Sequence, residues 1–255
     1  MTVARDRLPK TDARADRNIP RALRTTYELL WGGLLALVSL LLSPLVRHRY
    51  NRWGATDAEL GASMPGDELV ARPKLGYTRA ITIDAPSGDV WRWLAQFGQA
   101  RGGFYSFDGL ENIIGCRIHS TDRLLPEHQV LREGDLVRSG PEGKGYAAWQ
   151  VVDVAPPDHL VLMGADPGTG RAPPVVTSVP DRGYVASTWQ WRLHPRHGGD
   201  ATRLVVRQRL TYSPRQALLW HLVEPLNFVM ERAMLCGLRQ RAEQTAGTPP
   251  EDEGP

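Results

Sequence analysis

The chain has 255 residues, 42% of them hydrophobic and 23% charged, with a formal net charge of +3. That balance belongs to a globular protein and excludes a disordered one. So small a net charge creates no field that calls for nucleic acid, and no nucleic-acid partner is expected. The two cysteines, Cys116 and Cys236, show neither metal-ligand spacing nor a disulfide framework. Two ordinary thiols and a single bridge both stay open.

Residues 1–25 carry repeated Arg and Lys without hydrophobic periodicity and read as a flexible basic arm. Residues 26–50 contain the uncharged run LLWGGLLALVSLLLSPLV, 18 residues from Leu29 to Val46. At helical rise this run spans roughly 27 Å, enough for a bilayer core. Tyr27 and Trp31 lie near one edge, and Arg47, His48, Arg49, Tyr50 and Arg52 close the other. The charged lead is too long for a cleaved signal peptide, and no small-residue cleavage site follows. The alternative is a buried core helix, but a segment apolar on every face would have to be enclosed on every side. The expectation is therefore a transmembrane or membrane-anchoring helix, with the bilayer as partner and a membrane localisation. Within about 20 residues of the run, five basic residues before it against three after it weakly favour a cytoplasmic N-terminus and an exported domain. A helix embedded in one leaflet would instead leave the domain in the cytoplasm, so its side stays open.

Residues 51–245 form the expected folded domain. After a loop rich in Gly, Pro and acid (Asn51–Pro73), Tyr77–Asp84 alternates as a strand, with Ile81 and Ile83 on one face. Gly88–Phe97 follows as a helix with Val90, Trp91, Leu94 and Phe97 as its stripe, then a second helix at Ser106–Ile114. Beyond Gly115 the period changes to two. Strands are predicted at Asp135–Ser139, Ala147–Val154, His159–Gly164, Tyr184–Leu193 and Thr202–Tyr212, and short turns between them favour antiparallel pairing. The Pro/Gly-rich stretch Asp166–Arg182 is a long loop with the character of a lid. Pro214 opens a final helix to Thr245, whose apolar face is read as Leu218, Leu219, Leu222, Leu226, Met230, Ala233 and Met234, with a kink at Pro225. Residues 246–255 are an acidic, disordered tail.

Three stretches carry a family resemblance: ITIDAPSGDVWRWL (Ile81–Leu94), RGGFYSFDGLENIIGCRIHSTDRLLPEHQ (Arg101–Gln129) with GDLV after it, and RWGATDAEL with PGDEL near the start of the domain. Together with the element order, they resemble the SRPBCC superfamily of START-like, polyketide cyclase-like helix-grip proteins, in particular a bacterial membrane-anchored subgroup. The resemblance covers about 51–243. It implies an α+β fold in which a curved antiparallel sheet wraps around a long C-terminal helix. The helix alone cannot fill the concave face, so such a fold leaves an apolar cavity suited to a lipid, isoprenoid or polyketide-like molecule. Relatives include cyclases, lipid-transfer proteins and quinone-binding proteins, so the fold sets only a prior on function.

Expected ligand contacts are Phe104, Tyr105, Phe107, Trp149, Trp189, Trp191, Gln208, Met230 and Met234. Gln208 would be a polar handle among Leu204, Val206 and Leu210, while Arg203, Arg207 and Arg209 on the opposite strand face would meet solvent or anionic headgroups. An enzyme reading, as cyclase or dehydratase, makes His119 a general acid or base oriented by Glu111 or Asp122. The competing reading makes those three loop-fixing and solvated groups. The histidines form no metal-binding motif, and no metal or cofactor is expected. The leading reading is non-catalytic binding of a hydrophobic molecule beside a membrane; an interaction module with a packed interior is the third.

Overall fold

The computed structural model describes residues 30–34, 37, 46–173 and 185–247. Its elements run α1 (Asp57–Gly61), β1 (Leu75–Ile83), α2 (Ser87–Ala95), α3 (Asp108–Ile113), β2 (Leu136–Arg138), β3 (Ala148–Ala155), β4 (His159–Ala165), β5 (Val185–Arg196), β6 (Ala201–Tyr212) and α4 (Ala217–Thr245). The six strands form one antiparallel sheet in the order β1-β6-β5-β4-β3-β2. β1 closes on the last strand, so the chain returns to its start before entering α4. This is the expected α+β architecture, and it is consistent with a helix grip. The basic arm, most of the apolar run Leu29–Val46, residues 174–184 of the predicted lid and the acidic tail lie outside the described residues. Among the described residues no helix is long and apolar enough to cross a membrane.

One half of the sheet's inner face is filled. Trp93, Leu94 and Phe97 of the α2 region, Trp191 and Leu193 of β5, and Leu235 and Leu238 of α4 are almost wholly buried together. Phe97 meets Trp189 and Trp191 edge-on, each at 5.6 Å, the geometry that aromatic quadrupoles favour. The α2 stripe read from the sequence packs as expected, and Trp93 adds a donor: its indole N–H reaches the Thr245 hydroxyl at the far end of α4, at 2.8 Å. The loop at 102–121 lies over the second half of α4. There α4 needs a glycine, because a Cβ on Gly237 would collide with the Tyr105 carbonyl oxygen. Tyr105 holds a positive φ of 59° and is locked by its hydroxyl on the Trp93 carbonyl (2.9 Å) and its N–H on Ser120 (2.9 Å).

Two readings of the sequence are corrected. The basic face of β6 does not meet solvent. The stretch read as a loop, Asn51–Pro73, contains α1 and packs over that face. α1 begins with a capping box: the Thr56 side chain accepts from the Glu59 N–H while the Glu59 carboxylate accepts from the Thr56 N–H. Arg203 binds the same Glu59 through Nε and Nη2, at 2.7 and 2.9 Å. Arg207, 6% exposed, donates to Asp67 and to the carbonyls of Ala62 and Glu59. Arg209 donates to the carbonyls of Val70 and Ala71. These arginines work as donors to a covering segment, which periodicity alone cannot distinguish from a solvated row.

The second correction concerns α4. Leu218, Leu219, Leu222 and Leu226, read as its buried face, are exposed at 72, 55, 50 and 45%. Of the face read from the sequence Met234 is buried, and the buried face also carries Glu224, Val229, Glu231, Leu235 and Leu238. Both glutamates have partners inside, which makes their burial tolerable.

Candidate functional site

The other half of the inner face is open. Gly164 and Ser187 face it from the ends of β4 and β5, and Ala147 from just before β3, where the packed half has tryptophans. Side chains this small cannot reach α4, and a mostly apolar cavity of about 780 Å³ remains between sheet and helix. Its floor is Leu75 and Tyr77 of β1 with Gln208 and Leu210 of β6, and Trp149 separates it from the aromatic core. Trp220, Val223, Glu224 and Asn227 of α4 form the roof. Asp166, Pro167 and Arg171–Pro173, the described part of the predicted lid, stand at the rim. The volume falls within the usual range for a small-molecule site, about 300–1,000 Å³.

Two buried carboxylates border this space. Glu231 accepts from the Tyr77 hydroxyl (2.7 Å), Arg79 Nη1 (2.6 Å) and the Trp189 indole N–H (3.0 Å). Arg79 is 0% exposed, lies 3.6 Å over the Tyr77 ring centroid, and also donates to the Tyr50 carbonyl and to Asn227 Oδ1. Burial, with the Glu231 charge beside it, pushes the Tyr77 phenol well above its ordinary pKa, so it stays a proton donor; Arg79 opposes the shift without reversing it. Glu224 sits two turns earlier on α4. It pairs with Arg47 at 2.9 Å and accepts from Asn51 at 2.5 Å. The end of the apolar N-terminal run is thereby clamped to the cavity roof, and Tyr50 stacks on Phe228 at 5.4 Å beside it.

The residues read from the sequence divide into three groups. Trp149 and Gln208 line the cavity. Phe104, Tyr105, Trp189, Trp191 and Met234 lie in the packed core next to it. Phe107 and Met230 are half-buried and line no part of it. Among the acid/base candidates, His119 is exposed, Glu111 accepts from the Ser106 hydroxyl at 2.7 Å, and the largely exposed Asp122 is held by Arg241 at 2.7 Å. None of the three lines the cavity. No disulfide joins Cys116 and Cys236. Among the described residues no cluster of His, Cys, Asp and Glu could hold a metal ion.

The Tyr77–Arg79–Glu231 cluster was missed by the sequence reading, although a signal was present. Tyr77 and Arg79 share a strand face with Ile81 and Ile83, and an arginine on a core face demands a buried acid.

No family model matches the chain, and no curated protein matches it. Solved structures with a similar course do exist. A protein from Arthrobacter aurescens, determined in solution, is 17% identical over 71% of this chain and 93% of its own, with a TM-score of 0.38. The hypothetical protein jhp0584 from Helicobacter pylori is 12% identical over 71% and 96%, with a TM-score of 0.41. CalU16 from Micromonospora echinospora is 18% identical over 66% and 84%, with a TM-score of 0.30.

Proposed function

We propose that this chain is a START-like helix-grip protein of the SRPBCC type that holds a hydrophobic small molecule at a membrane, in the cavity between its sheet and α4. The observation that carries the reading is that cavity: about 780 Å³, walled by small and apolar side chains, beside the buried aromatic core. Apolar walls left against water are unfavourable, and an apolar molecule that covers them removes that cost. A lipid, isoprenoid or polyketide-like molecule has the matching surface. Binding, rather than cyclase or dehydratase chemistry, is favoured because the acid/base candidates stand outside the cavity.

The membrane part rests on two features. One is the uncharged run Leu29–Val46, which meets the domain at Arg47 on Glu224. The other is the row of exposed leucines on the outer side of the same helix, Leu218, Leu219, Leu222 and Leu226. Four large apolar side chains on one helix face suit a bilayer surface. The same membrane would then supply an apolar ligand to the cavity one helix-width away.

Trp149 and Trp220 provide the test, since both face the cavity. A brominated fatty alcohol added to the full chain in nanodiscs should quench tryptophan fluorescence saturably. Trp149→Phe with Trp220→Phe should remove most of the saturable part. Quenching that only tracks partition into the bilayer, or that the double variant leaves intact, would contradict the reading.

A further inference from the structure

We infer that Tyr77, Gln208 and Asn227 form a recognition patch for an uncharged oxygen-bearing head group, a hydroxyl or a carbonyl, on an otherwise apolar ligand. The inference rests on the binding reading above and narrows it to a class of ligand.

The patch follows from strand register. Tyr77 and Gln208 are direct partners across the β1–β6 ladder, so their side chains emerge together on the inner face. Both line the cavity, and Asn227 faces them from α4. Their hydrogen-bonding capacity is only partly used. The Tyr77 proton is committed to Glu231 at 2.7 Å, so toward any other group the phenol oxygen acts as an acceptor, and the Asn227 amide already donates toward it. Asn227 turns Oδ1 to Arg79 at 3.3 Å, so of its two N–H groups one serves Tyr77 and the other is left to donate. The Gln208 amide makes no hydrogen bond among the described residues, although it stands between Val206 and Leu210 on an apolar strand face. An amide left dry and unmatched there would cost free energy, and a ligand oxygen meeting it removes that cost.

Charge decides which oxygen. The buried carboxylates beside the cavity already have a cation: Arg79 at 2.6 Å on Glu231 and Arg47 at 2.9 Å on Glu224. Among the described residues the lining holds one cation, Arg171, which is exposed at the rim with Asp166 beside it. A carboxylate or phosphate reaching the floor would meet paired acids and, among the described residues, no spare positive charge. Burying it there is unfavourable. A hydroxyl or carbonyl needs only the donors and the acceptor that the patch offers.

The test compares dodecanol, dodecanoate and dodecane on the full chain in nanodiscs, read as the shift of the thermal transition with ligand concentration. Wild type is set beside Gln208→Met, which keeps the length and removes the hydrogen bonds, and beside Tyr77→Phe. Partition into the bilayer is common to all variants, so differences between variants isolate the cavity. The expected result is that dodecanol acts at roughly tenfold lower concentration than dodecanoate at neutral pH. Gln208→Met should lose roughly three- to tenfold of the dodecanol response and leave that to dodecane unchanged. A midpoint without ligand within a few degrees of wild type shows that a variant folds, and Tyr77→Phe supplies the comparison if Gln208→Met does not. Dodecanoate as effective as dodecanol, or a dodecanol preference over dodecane that survives in the folded variants, overturns the inference while leaving cavity binding intact. If none of the three ligands shifts the wild type, the binding reading falls and takes the inference with it.

Discussion

Replacing Glu231 by Gln should be among the most damaging single-atom changes in the domain. The substitution keeps the side-chain shape but removes the charge facing Arg79, whose side chain is 0% exposed and whose Nη1 lies 2.6 Å from the carboxylate. Gln can still accept from Tyr77 or Trp189, so their hydrogen bonds are partly kept. What is lost is the compensation of a buried guanidinium, and removing one partner of a buried pair costs about 3–5 kcal/mol. For a domain of this size that corresponds to a fall in Tm of about 6–20 °C. Adding Arg79→Met removes the stranded cation. The double variant Arg79→Met/Glu231→Gln should therefore be at least about 1 kcal/mol more stable than Glu231→Gln alone. Circular-dichroism melts of the full chain in detergent, for wild type, both single variants and the double, give the cycle. A Glu231→Gln variant within about 1 kcal/mol of wild type would refute the reasoning, because a truly buried pair cannot lose its anion so cheaply. So would a double variant whose loss equals the sum of the singles.

The clamp on the outer face predicts acid sensitivity. Burial alone would raise the Glu59 pKa, but the hydrogen bonds from Arg203 and Thr56 and the Arg203 charge outweigh it and hold the carboxyl at about 2, against an ordinary 4.5. A group held low in the folded state stabilises fully above its unfolded pKa and loses that contribution as pH falls toward the folded one. Glu59→Gln should thus lower Tm at neutral pH, with wild type and variant converging as pH drops from 4.5 toward 2; parallel curves over that window would contradict the assignment. On α4, changing Leu218, Leu219, Leu222 and Leu226 together to Ser should leave Tm nearly unchanged, because these side chains are exposed. The same variant should weaken sedimentation with lipid vesicles, and unchanged vesicle binding would remove α4 from the membrane surface.

Much of the fold was legible because its signals are local. The period-two strands, the Pro/Gly turns and the α2 stripe each carry their own pattern, and the element order follows from reading them in turn. The orientation of α4 was not legible. Its first half is apolar outside and acidic inside, the reverse of the pattern on which a hydrophobic stripe is read. Only the long-range partners, Arg47 for Glu224 and Arg79 for Glu231, reveal which way the helix faces. The cover on β6 was hidden for the same reason, although Thr56-x-x-Glu59 carried the capping-box signature within what was read as loop. For the site, Gln208 and Trp149 were visible as inward residues on strands. The position of the cavity was not, because it depends on where small residues from three separate stretches come together: Ala147, Gly164 and Ser187. The aromatic residues drew attention to the half of the sheet that is full.

The central claim is that the space under α4 holds an apolar molecule, and native mass spectrometry of the full chain released from nanodiscs tests it most directly. Ser187 lies in the cavity wall on the face of β5 that also carries Trp189, so Ser187→Trp should fill the cavity from the sheet side. The account predicts wild-type protein carrying a non-covalent apolar adduct that survives gentle activation, and Ser187→Trp folded with that adduct lost or sharply reduced. Wild type at its bare mass under the same conditions, or an adduct equally abundant on folded Ser187→Trp, would contradict it.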